Sequence, residues 1–259
     1  MPTFDSNGVA INYIDEGIGP VIVLVHGFAA HLENNWRGPG IIDAIKATGR
    51  RVVAIDCRGH GKSGKPHDPD AYADNAMALD VIGLMDHLRI EKADLMGYSM
   101  GGIISSWLLT NYESRFRTVI LSGIGDALVA QGRDSWRERG EAMADAMESG
   151  SPAISADETA RNFRILAERT GNDLSALAAM QRAPRRHSPM TDFSGVTIPV
   201  MVLLGEGDAL VGKADKLAAA IPGSKLVYVP GDHLTAVVKP ELKTAIVDFL
   251  ATNSPVKAH

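Results

Sequence analysis

The chain has 259 residues, 45% of them hydrophobic, and its 31 acidic side chains against 26 basic ones give a formal net charge of −5. This length fits either one large α/β domain or two small domains. The charges are interspersed along the chain, whereas nucleic-acid and anionic-membrane partners favour clustered lysine and arginine. We therefore expect a small-molecule substrate, no nucleic-acid or membrane partner, and a monomer or a homodimer.

A single cysteine, Cys57, excludes an intramolecular disulfide and a cysteine-cluster metal site. The first residues lack the basic and apolar regions of a secretory leader, and no run approaches the ~18 apolar residues of a membrane span. These observations predict a cytoplasmic protein.

The chain alternates apolar runs with helical segments. Asn7-Gly8, between two alternating stretches, predicts an antiparallel hairpin, because both residues tolerate positive φ. Unbroken runs typical of strands buried on both faces of a parallel sheet follow at residues 20–25, 51–55, 93–96, 118–121, 200–204 and 226–229. Helices are predicted at residues 41–47, 75–88, 100–111, 214–220 and 241–250. The pattern predicts an α/β fold with a mostly parallel sheet, helices on both faces, and binding residues beyond the carboxyl ends of the strands.

The alternation stops after the sixth predicted strand, because residues 126–194 contain no strand-like run. Amphipathic pieces fill this segment, so we predict a helical lid, residues 126–194, inserted into an α/β core formed by residues 1–125 and 195–259. The apolar side chains of the lid either pack it on the core or wall a substrate pocket. The pocket hypothesis names Trp136, Met143, Met147, Phe163 and Met180.

The segment Gly97-Tyr98-Ser99-Met100-Gly101-Gly102 has the pattern G-x-S-x-G and lies between a predicted strand and a predicted helix. A strand-to-helix turn this sharp needs small residues on both sides of the serine and exposes its hydroxyl. The sequence therefore predicts Ser99 as a nucleophile. The alternative is a glycine-rich turn that only packs the helix on the sheet.

An activated serine needs a base and a carboxylate that orients the base, in the chain order serine, acid, histidine for this topology. His233 follows the last predicted strand and is therefore expected on the same rim of the sheet as the serine. The other histidines occur in early loops, a helix, the lid exit and the tail. Asp208, shortly after the strand at 200–204, is the expected acid, with Asp126 and Glu206 as rivals.

Acyl transfer also needs two amide N–H groups aimed at the developing oxyanion, one from the residue after the nucleophile and one from a loop after an earlier strand. Met100 and Phe28 occupy these two positions. The side chain of His26, which precedes Gly27 and Phe28, is interpreted as a structural histidine that holds the loop.

Gly61-Lys62-Ser63 mimics the end of a phosphate-binding loop after a strand. The mimicry fails, because Asp56 stands where such a loop needs its first glycine, and Pro66 and Pro69 follow where a helix is required. Histidine pairs and acidic loops with metal-ligand spacing are absent from the sequence. We therefore expect no cofactor and no metal.

With these elements in this order, the chain resembles the α/β-hydrolase superfamily, in particular its single-domain esterase and C–C hydrolase-like members. The matching motifs are H-G at His26, D-x-R-G-x-G-x-S at Asp56, G-x-S-x-G-G at Gly97, G-x-x-D at Gly205 and the glycine and histidine of the loop at Gly231.

The resemblance implies a serine-histidine-aspartate triad with an oxyanion hole, formed by Ser99, His233 and Asp208 and by the amides of Phe28 and Met100. One residue departs from the pattern. Asp232 stands before the histidine, where many relatives have a small residue, and either it modulates the basicity of His233 or its side chain points outward.

A serine at position 99 separates the chain from the aspartate-nucleophile relatives, the haloalkane dehalogenases and epoxide hydrolases, which form an alkyl-ester intermediate. The expected activity is hydrolysis of a small or medium, mainly apolar carboxylic ester through an acyl-enzyme. The same residues would serve a C–C bond hydrolase or an acyltransferase, and the fold also serves as a small-molecule receptor. The sequence leaves these alternatives open.

Overall fold

The computed structural model describes residues 1–130, 133–155, 157–184 and 192–256, without the side chains of residues 130 and 133–136. The strands in these ranges are β1 Thr3–Ser6, β2 Val9–Glu16, β3 Val21–Val25, β4 Arg51–Ile55, β5 Ala93–Tyr98, β6 Phe116–Ser122, β7 Val200–Gly205 and β8 Lys225–Val229. They form one sheet of order β1-β2-β4-β3-β5-β6-β7-β8. In the order of the sheet, all pairings from β4 to β8 are parallel, whereas the β1–β2 and β2–β4 pairings are antiparallel. The predicted, mostly parallel sheet is confirmed.

The helices in the described ranges are α1 Ile41–Lys46, α2 Ala76–His87, α3 Met100–Asn111, α4 Ala127–Ala130, α5 Arg133–Glu148, α6 Glu158–Arg169, α7 Leu174–Gln181, α8 Asp215–Ala220 and α9 Pro240–Asn253. The predicted helix at residue 75 begins one residue later, because Asn75 adopts a left-handed φ of 60°. A π-helix, Glu33–Arg37, lies in a segment for which the sequence pattern predicted no element. Over the described ranges, no helix combines the length and apolarity needed to cross a membrane.

The predicted hairpin is formed by β1 and β2. Its two turn residues have positive φ, 54° at Asn7 and 82° at Gly8, as a tight turn of this kind requires. Beyond the hairpin, β2 continues far enough to pair with β4 from Tyr13 to Glu16. The hairpin is therefore part of the main sheet and extends its edge.

The parallel strands are buried on both faces, which explains their unbroken apolar runs. Along β3, Val21, Val23 and Val25 belong to one apolar cluster, whereas Ile22 and Leu24 belong to another. Side chains alternate across a strand, so the two clusters lie on opposite faces of the sheet. The first cluster receives side chains from α2, α3 and α8, and the second from α1 and α9. The predicted placement of helices on both faces is confirmed.

The described part of the chain between β6 and β7 is helical, and specific polar contacts define it. Asp157 and Asp173 start α6 and α7 by accepting hydrogen bonds from the amides of Ala160 and Ala176. Arg164 on α6 is buried and donates to the carbonyls at the end of α5, which are those of Ala146, Met147 and Ser149. These contacts hold α5 against α6 near the carboxyl edge of the sheet, where α6 side chains reach the site described below.

Candidate active site

Ser99 lies on the turn between β5 and α3, at the carboxyl edge of the sheet. Its backbone is strained, with φ 54° and ψ −112°, a region that residues with side chains rarely adopt. The Ser99 amide donates to the carbonyl of Ser122 at 2.8 Å, which ties the turn to the end of β6. The hydroxyl is therefore presented by a rigid turn, and the residue is only half-buried.

The glycines around Ser99 are required by close backbone approach. A methyl group on Gly97 would overlap the carbonyl of Gly101, and one on Gly101 would overlap the carbonyl of Val25. A methyl group on Gly102 would lie 2.9 Å from the carbonyl oxygen of Ser122. The helix after Ser99 thus packs directly on strands β3 and β6, which a larger residue at these positions would prevent.

A chain of hydrogen bonds links Ser99, His233 and Asp208. Ser99 Oγ lies 2.9 Å from His233 Nε2, and His233 Nδ1 lies 2.7 Å from Asp208 Oδ2. A carboxylate only accepts hydrogen bonds, so Nδ1 carries the imidazole proton and Nε2 is left to accept from the serine hydroxyl. The arrangement lets His233 take a proton from Ser99 while the buried carboxylate stabilises the imidazolium.

The second oxygen of Asp208 is held by the backbone. Its Oδ1 atom accepts from the amides of Leu210 and Val211 at 3.1 and 3.2 Å. Both oxygens are therefore engaged, and the carboxyl side chain is fully buried. The loop after β7 holds this carboxylate in one orientation toward the imidazole.

The two rival acids point elsewhere. Asp126 Oδ1 accepts from the amides of Lys216 and Leu217 at 2.8 and 3.0 Å, so it caps the start of α8. Glu206 is exposed to solvent. Of the three acids that the sequence offered, the structure brings only Asp208 to the imidazole.

Asp232 does not face the imidazole nitrogens. Its Oδ1 atom accepts from the amides of Leu234 and Thr235 and from the Thr235 hydroxyl, at 2.7–3.0 Å. The hydrogen bond from the Thr235 side chain is the main cause that holds the pKa of Asp232 below its ordinary value. The exposed carboxylate therefore closes the turn that carries His233, in agreement with an outward-pointing side chain.

Tyr98 fixes the main chain of His233. Its hydroxyl donates to the His233 carbonyl at 2.8 Å, and its ring centroid lies 5.9 Å from that of the imidazole. Burial raises the pKa of the Tyr98 phenol, so the hydroxyl stays protonated as a donor. The residue before the serine thus connects the turn at β5 to the loop after β8.

The loop after β3 fixes the direction of the Gly27–Phe28 peptide. The Gly27 carbonyl accepts from His26 Nδ1 at 2.8 Å and from the Ala30 amide at 3.2 Å. In a trans peptide the N–H points opposite to the carbonyl, so the Phe28 N–H points away from these donors. Gly27 in turn lies beside Ser99, since a Cβ atom on Gly27 would be 3.4 Å from Ser99 Cβ.

The two amides predicted to bind the oxyanion are free to donate to a substrate. Among the described residues, no acceptor receives a hydrogen bond from the amide of Phe28 or from that of Met100, the first residue of α3. Amides left open beside a nucleophile are what stabilisation of an oxyanion requires.

His26 has the structural position expected of it. Its Nε2 atom accepts from the amide of Cys57 at 2.9 Å, so Nδ1 carries the proton that is donated to Gly27. Complete burial lowers the pKa of His26, which keeps the ring neutral.

The segment 56–63 that mimics a phosphate loop is closed by Asp56, whose carboxylate accepts from Asn12 Nδ2 and from the amides of Leu32 and Lys62.

A cavity of about 560 Å³ opens at Ser99. It is bounded by α3, by the loops after β3, β6 and β7, and by the helices between β6 and β7. Most of its lining is apolar and includes Phe28, Met77, Ile103, Ile104, Trp107, Ile124, Leu128, Leu210 and Val211. Of the residues that the structure describes, three with charged side chains also line it, Asp74, Arg139 and Asp157.

The structure places the five predicted pocket residues differently. Met143, Phe163 and Met180 line the cavity. Met147 does not: it is 1% exposed and packs inside the main apolar cluster, one helical turn beyond Met143 on the same side of α5. The side chain of Trp136 lies outside the described part of the chain.

Some contacts at the site were not foreseen from the sequence. Asn35, in the π-helix, accepts from the amide of Gly27 at 2.8 Å. Thr170 and Asn172, between α6 and α7, donate to the carbonyl of Ala29. Isolated polar residues of this kind carry no sequence pattern that marks them.

Within the ranges given above, no group of three or more His, Cys, Asp or Glu side chains is arranged to hold a metal ion.

Comparisons with known proteins agree with this architecture. A model of the alpha/beta hydrolase fold matches residues 20–149. The chain is 30% identical over 209 residues to 3-oxoadipate enol-lactonase 2 of Acinetobacter baylyi, which covers 73% of this chain and 74% of that protein.

Solved structures show the same fold over nearly the whole chain. The enol-lactonase from Burkholderia xenovorans LB400 superposes with a TM-score of 0.76 at 25% identity, covering 96% of this chain and 100% of the other. A thermophilic esterase from Thermogutta terrifontis, with malate bound, gives 0.77 at 25% identity and covers 96% of each chain. From the matched family model, the sheet order and these relatives, the chain belongs to the α/β-hydrolase family and is a hydrolase of that family.

Proposed function

We propose that this protein is a serine hydrolase that cleaves a small or medium, mainly apolar carboxylic ester. One observation carries the proposal: Ser99 Oγ, 2.9 Å from His233 Nε2, lies at an apolar cavity, and Asp208 contacts the other imidazole nitrogen at 2.7 Å. Two of the similar proteins are named an enol-lactonase and an esterase, and both lactones and esters contain an acyl–oxygen bond.

The proposed reaction has two steps. Ser99 Oγ attacks the ester carbonyl as His233 accepts the serine proton, and the amides of Phe28 and Met100 bind the oxyanion that forms. The leaving alcohol takes the proton from His233 as the acyl–oxygen bond breaks, which gives an acyl-serine. Water, deprotonated by His233, then attacks the acyl carbon, and the proton returns to Ser99 as the carboxylic acid leaves.

The cavity supports the proposed substrate class. Sites of roughly 300–1,000 Å³ with mostly apolar walls hold small organic ligands, and the cavity at Ser99 has about 560 Å³. Met143, Phe163 and Met180 all come from the segment between β6 and β7. We therefore propose that residues 126–194 form a lid that supplies the acyl-binding wall, and that residues 1–125 and 195–259 form the catalytic core.

The test is hydrolysis of p-nitrophenyl esters with acyl chains from acetyl to octanoyl. Wild type should show saturable turnover, and Ser99→Ala should lower kcat by about 10⁴-fold or more, because the nucleophile is lost. Ser175→Ala is the matched control, since Ser175 is exposed on α7 and distant in sequence from the catalytic residues. Equal activity of Ser99→Ala and wild type would refute the nucleophile assignment.

Three further measurements separate the other functions open to this fold. Transfer of the acyl group to an added alcohol in preference to water would indicate an acyltransferase. Saturable ligand binding without turnover of any ester would indicate a receptor, and turnover of a β-diketone but of no ester would indicate a C–C hydrolase. Each of these outcomes contradicts the proposed esterase activity.

A further inference from the structure

The turn between α6 and α7 contacts the loop that carries Phe28. Thr170 Oγ1 and Asn172 Nδ2 both donate to the carbonyl oxygen of Ala29, at 2.8 and 2.9 Å. Asn172 lies 143 residues from Ala29 in sequence and is 8% exposed. Two buried or half-buried donors from one turn thus converge on the residue that follows Phe28.

Ala29 has an unfavourable backbone conformation. Its φ is 58°, in the left-handed region where an L-residue with a Cβ atom is disfavoured. Phe28 and Ala29 form the corner of a turn that is closed by the Ala30 amide and the Gly27 carbonyl. Turns with positive φ at the second corner position favour glycine there, and this chain has alanine. Contacts from outside the loop must therefore stabilise this conformation.

Asn172 uses both ends of its side-chain amide. Besides its bond to Ala29, Nδ2 contacts Thr170 Oγ1 at 2.9 Å, and Oδ1 accepts from the amide of Gly61 at 3.0 Å. One side chain therefore links the loop after β3, the loop after β4 and the turn of the helical segment. Only an amide donates and accepts in these directions, since a carboxylate of the same shape has no donor.

We infer that Asn172, assisted by Thr170, is a positioning residue for the oxyanion hole. It holds Ala29 at positive φ, and this keeps the neighbouring Phe28 amide directed at the site beside Ser99. The helical segment between β6 and β7 thus completes the oxyanion hole as well as lining the cavity. This inference rests on the proposed function, because it concerns an oxyanion formed by attack of Ser99.

The test compares a p-nitrophenyl ester with its thiono analogue, in which sulfur replaces the carbonyl oxygen. Sulfur is a weak hydrogen-bond acceptor, so the thiono rate depends little on the oxyanion donors. Asn172→Asp preserves the shape but removes the donor. It should lower kcat for the oxygen ester by about tenfold or more, as for a misplaced catalytic group. KM and the thiono rate should both stay within about twofold, so the ratio of the two rates falls.

Two further variants keep the inference testable if Asn172→Asp folds poorly. Thr170→Val removes the hydroxyl and should lower the rate ratio, whereas Thr170→Ser retains the hydroxyl and should restore it. Asn162→Asp is the matched control, because Asn162 is exposed on α6. The melting temperature of each variant reports any global loss of structure.

The inference is overturned if the folded Asn172→Asp and Thr170→Val variants keep the rate ratio of wild type. It is also overturned if the oxygen ester and the thiono ester slow equally, because that result assigns Asn172 to folding or substrate binding. Failure of the proposed function is seen separately, as wild-type turnover that is absent or that survives Ser99→Ala, and it removes the basis of this inference as well.

Discussion

Asp208 precedes His233 by 25 residues, and its Oδ2 atom approaches the imidazole Nδ1 to 2.7 Å. The loop after β7 and the loop after β8 are brought together by the parallel pairing of these two strands. The amides of Leu210 and Val211 hold the other carboxylate oxygen. The orientation of the proposed base is thus set by a carboxylate that has no freedom to rotate.

Asp208→Asn should lower kcat for a p-nitrophenyl ester by about 10³- to 10⁴-fold, because the side-chain amide no longer enforces the tautomer with the proton on Nδ1. Asp126→Asn serves as the matched control. Its remaining carbonyl oxygen still accepts from the amides of α8, so its kcat should equal that of wild type. A loss confined to Asp126→Asn would identify Asp126 as the acid.

Gly101→Ala should abolish activity and destabilise the fold by about 1–3 kcal/mol or more, because its methyl group has no space against the carbonyl of Val25. Gly195→Ala is the control, since a Cβ atom on Gly195 meets nothing within 4 Å and the residue is exposed. Urea denaturation and kcat measure the two effects. A fully active and stable Gly101→Ala protein would disprove the proposed close packing of α3 on β3.

Phe163→Ala should raise KM for a long-chain ester about tenfold, which corresponds to loss of roughly 1.4 kcal/mol of apolar contact. The Phe163 ring lines the cavity, with its centroid 5.6 Å from that of Phe28 and 6.4 Å from that of His233. Ile154→Ala provides the comparison, because Ile154 belongs to the same segment but is 68% exposed. An unchanged KM across the acyl series would remove Phe163 from the acyl-binding wall.

Acid should destabilise the protein through His60. Burial is the main cause that lowers the pKa of His60 from 6.5 to about 3, and electrostatic interaction with the neighbouring His26 lowers it further. Between these values the unfolded chain binds a proton at this residue and the folded chain does not. The free energy of unfolding therefore falls as the pH is lowered through this window, by up to about 1.4 kcal/mol per pH unit.

His60→Asn tests this pH dependence and retains a donor near the position of Nδ1, which contacts the Arg58 carbonyl in wild type. The difference in unfolding free energy between pH 7 and pH 5 should be smaller in this variant than in wild type. A part should persist, because burial also lowers the pKa of His26. Exposed His67 provides the control substitution, His67→Asn. An identical difference in wild type and His60→Asn would contradict the prediction.

Asp94→Ala should destabilise the protein by about 3–5 kcal/mol, because it leaves a buried guanidinium unpaired. Asp94 contacts Arg50 at 2.7 Å, and both side chains are at most 1% exposed. The pair lies near the amino end of β5, at the edge opposite Ser99, so kcat of the folded enzyme should not change. The surface pair of Asp86 and Arg115 is the control, and Asp86→Ala should cost less than about 1 kcal/mol.

Local patterns in the sequence were sufficient to predict the strands, the turn at Ser99 and the position of His233 beside it, because strand burial and the glycines of a sharp turn leave short-range signals. The choice between Asp208 and Asp126 needed side-chain geometry, since both follow neighbouring strands. Met147 shares the predicted face of α5 with Met143 but packs in the apolar cluster and does not line the cavity, because helical spacing does not indicate where along a face the cavity ends. The contact between Asn172 and Ala29 spans 143 residues and leaves no local signal.

The order of the strands along the chain also determines when the site can form during synthesis. Ser99 follows β5, in the interior of the sheet, whereas His233 follows β8, which is last in the sheet order and lies 134 residues further along the chain. A ribosome therefore releases the serine turn long before the base and its carboxylate emerge. A nascent chain that has formed β3 to β6 would carry Ser99 on its finished turn, but it would have no base to activate the hydroxyl. The proposed esterase chemistry would begin only after β7 and β8 have joined the sheet, so the growing polypeptide would be protected from premature acylation.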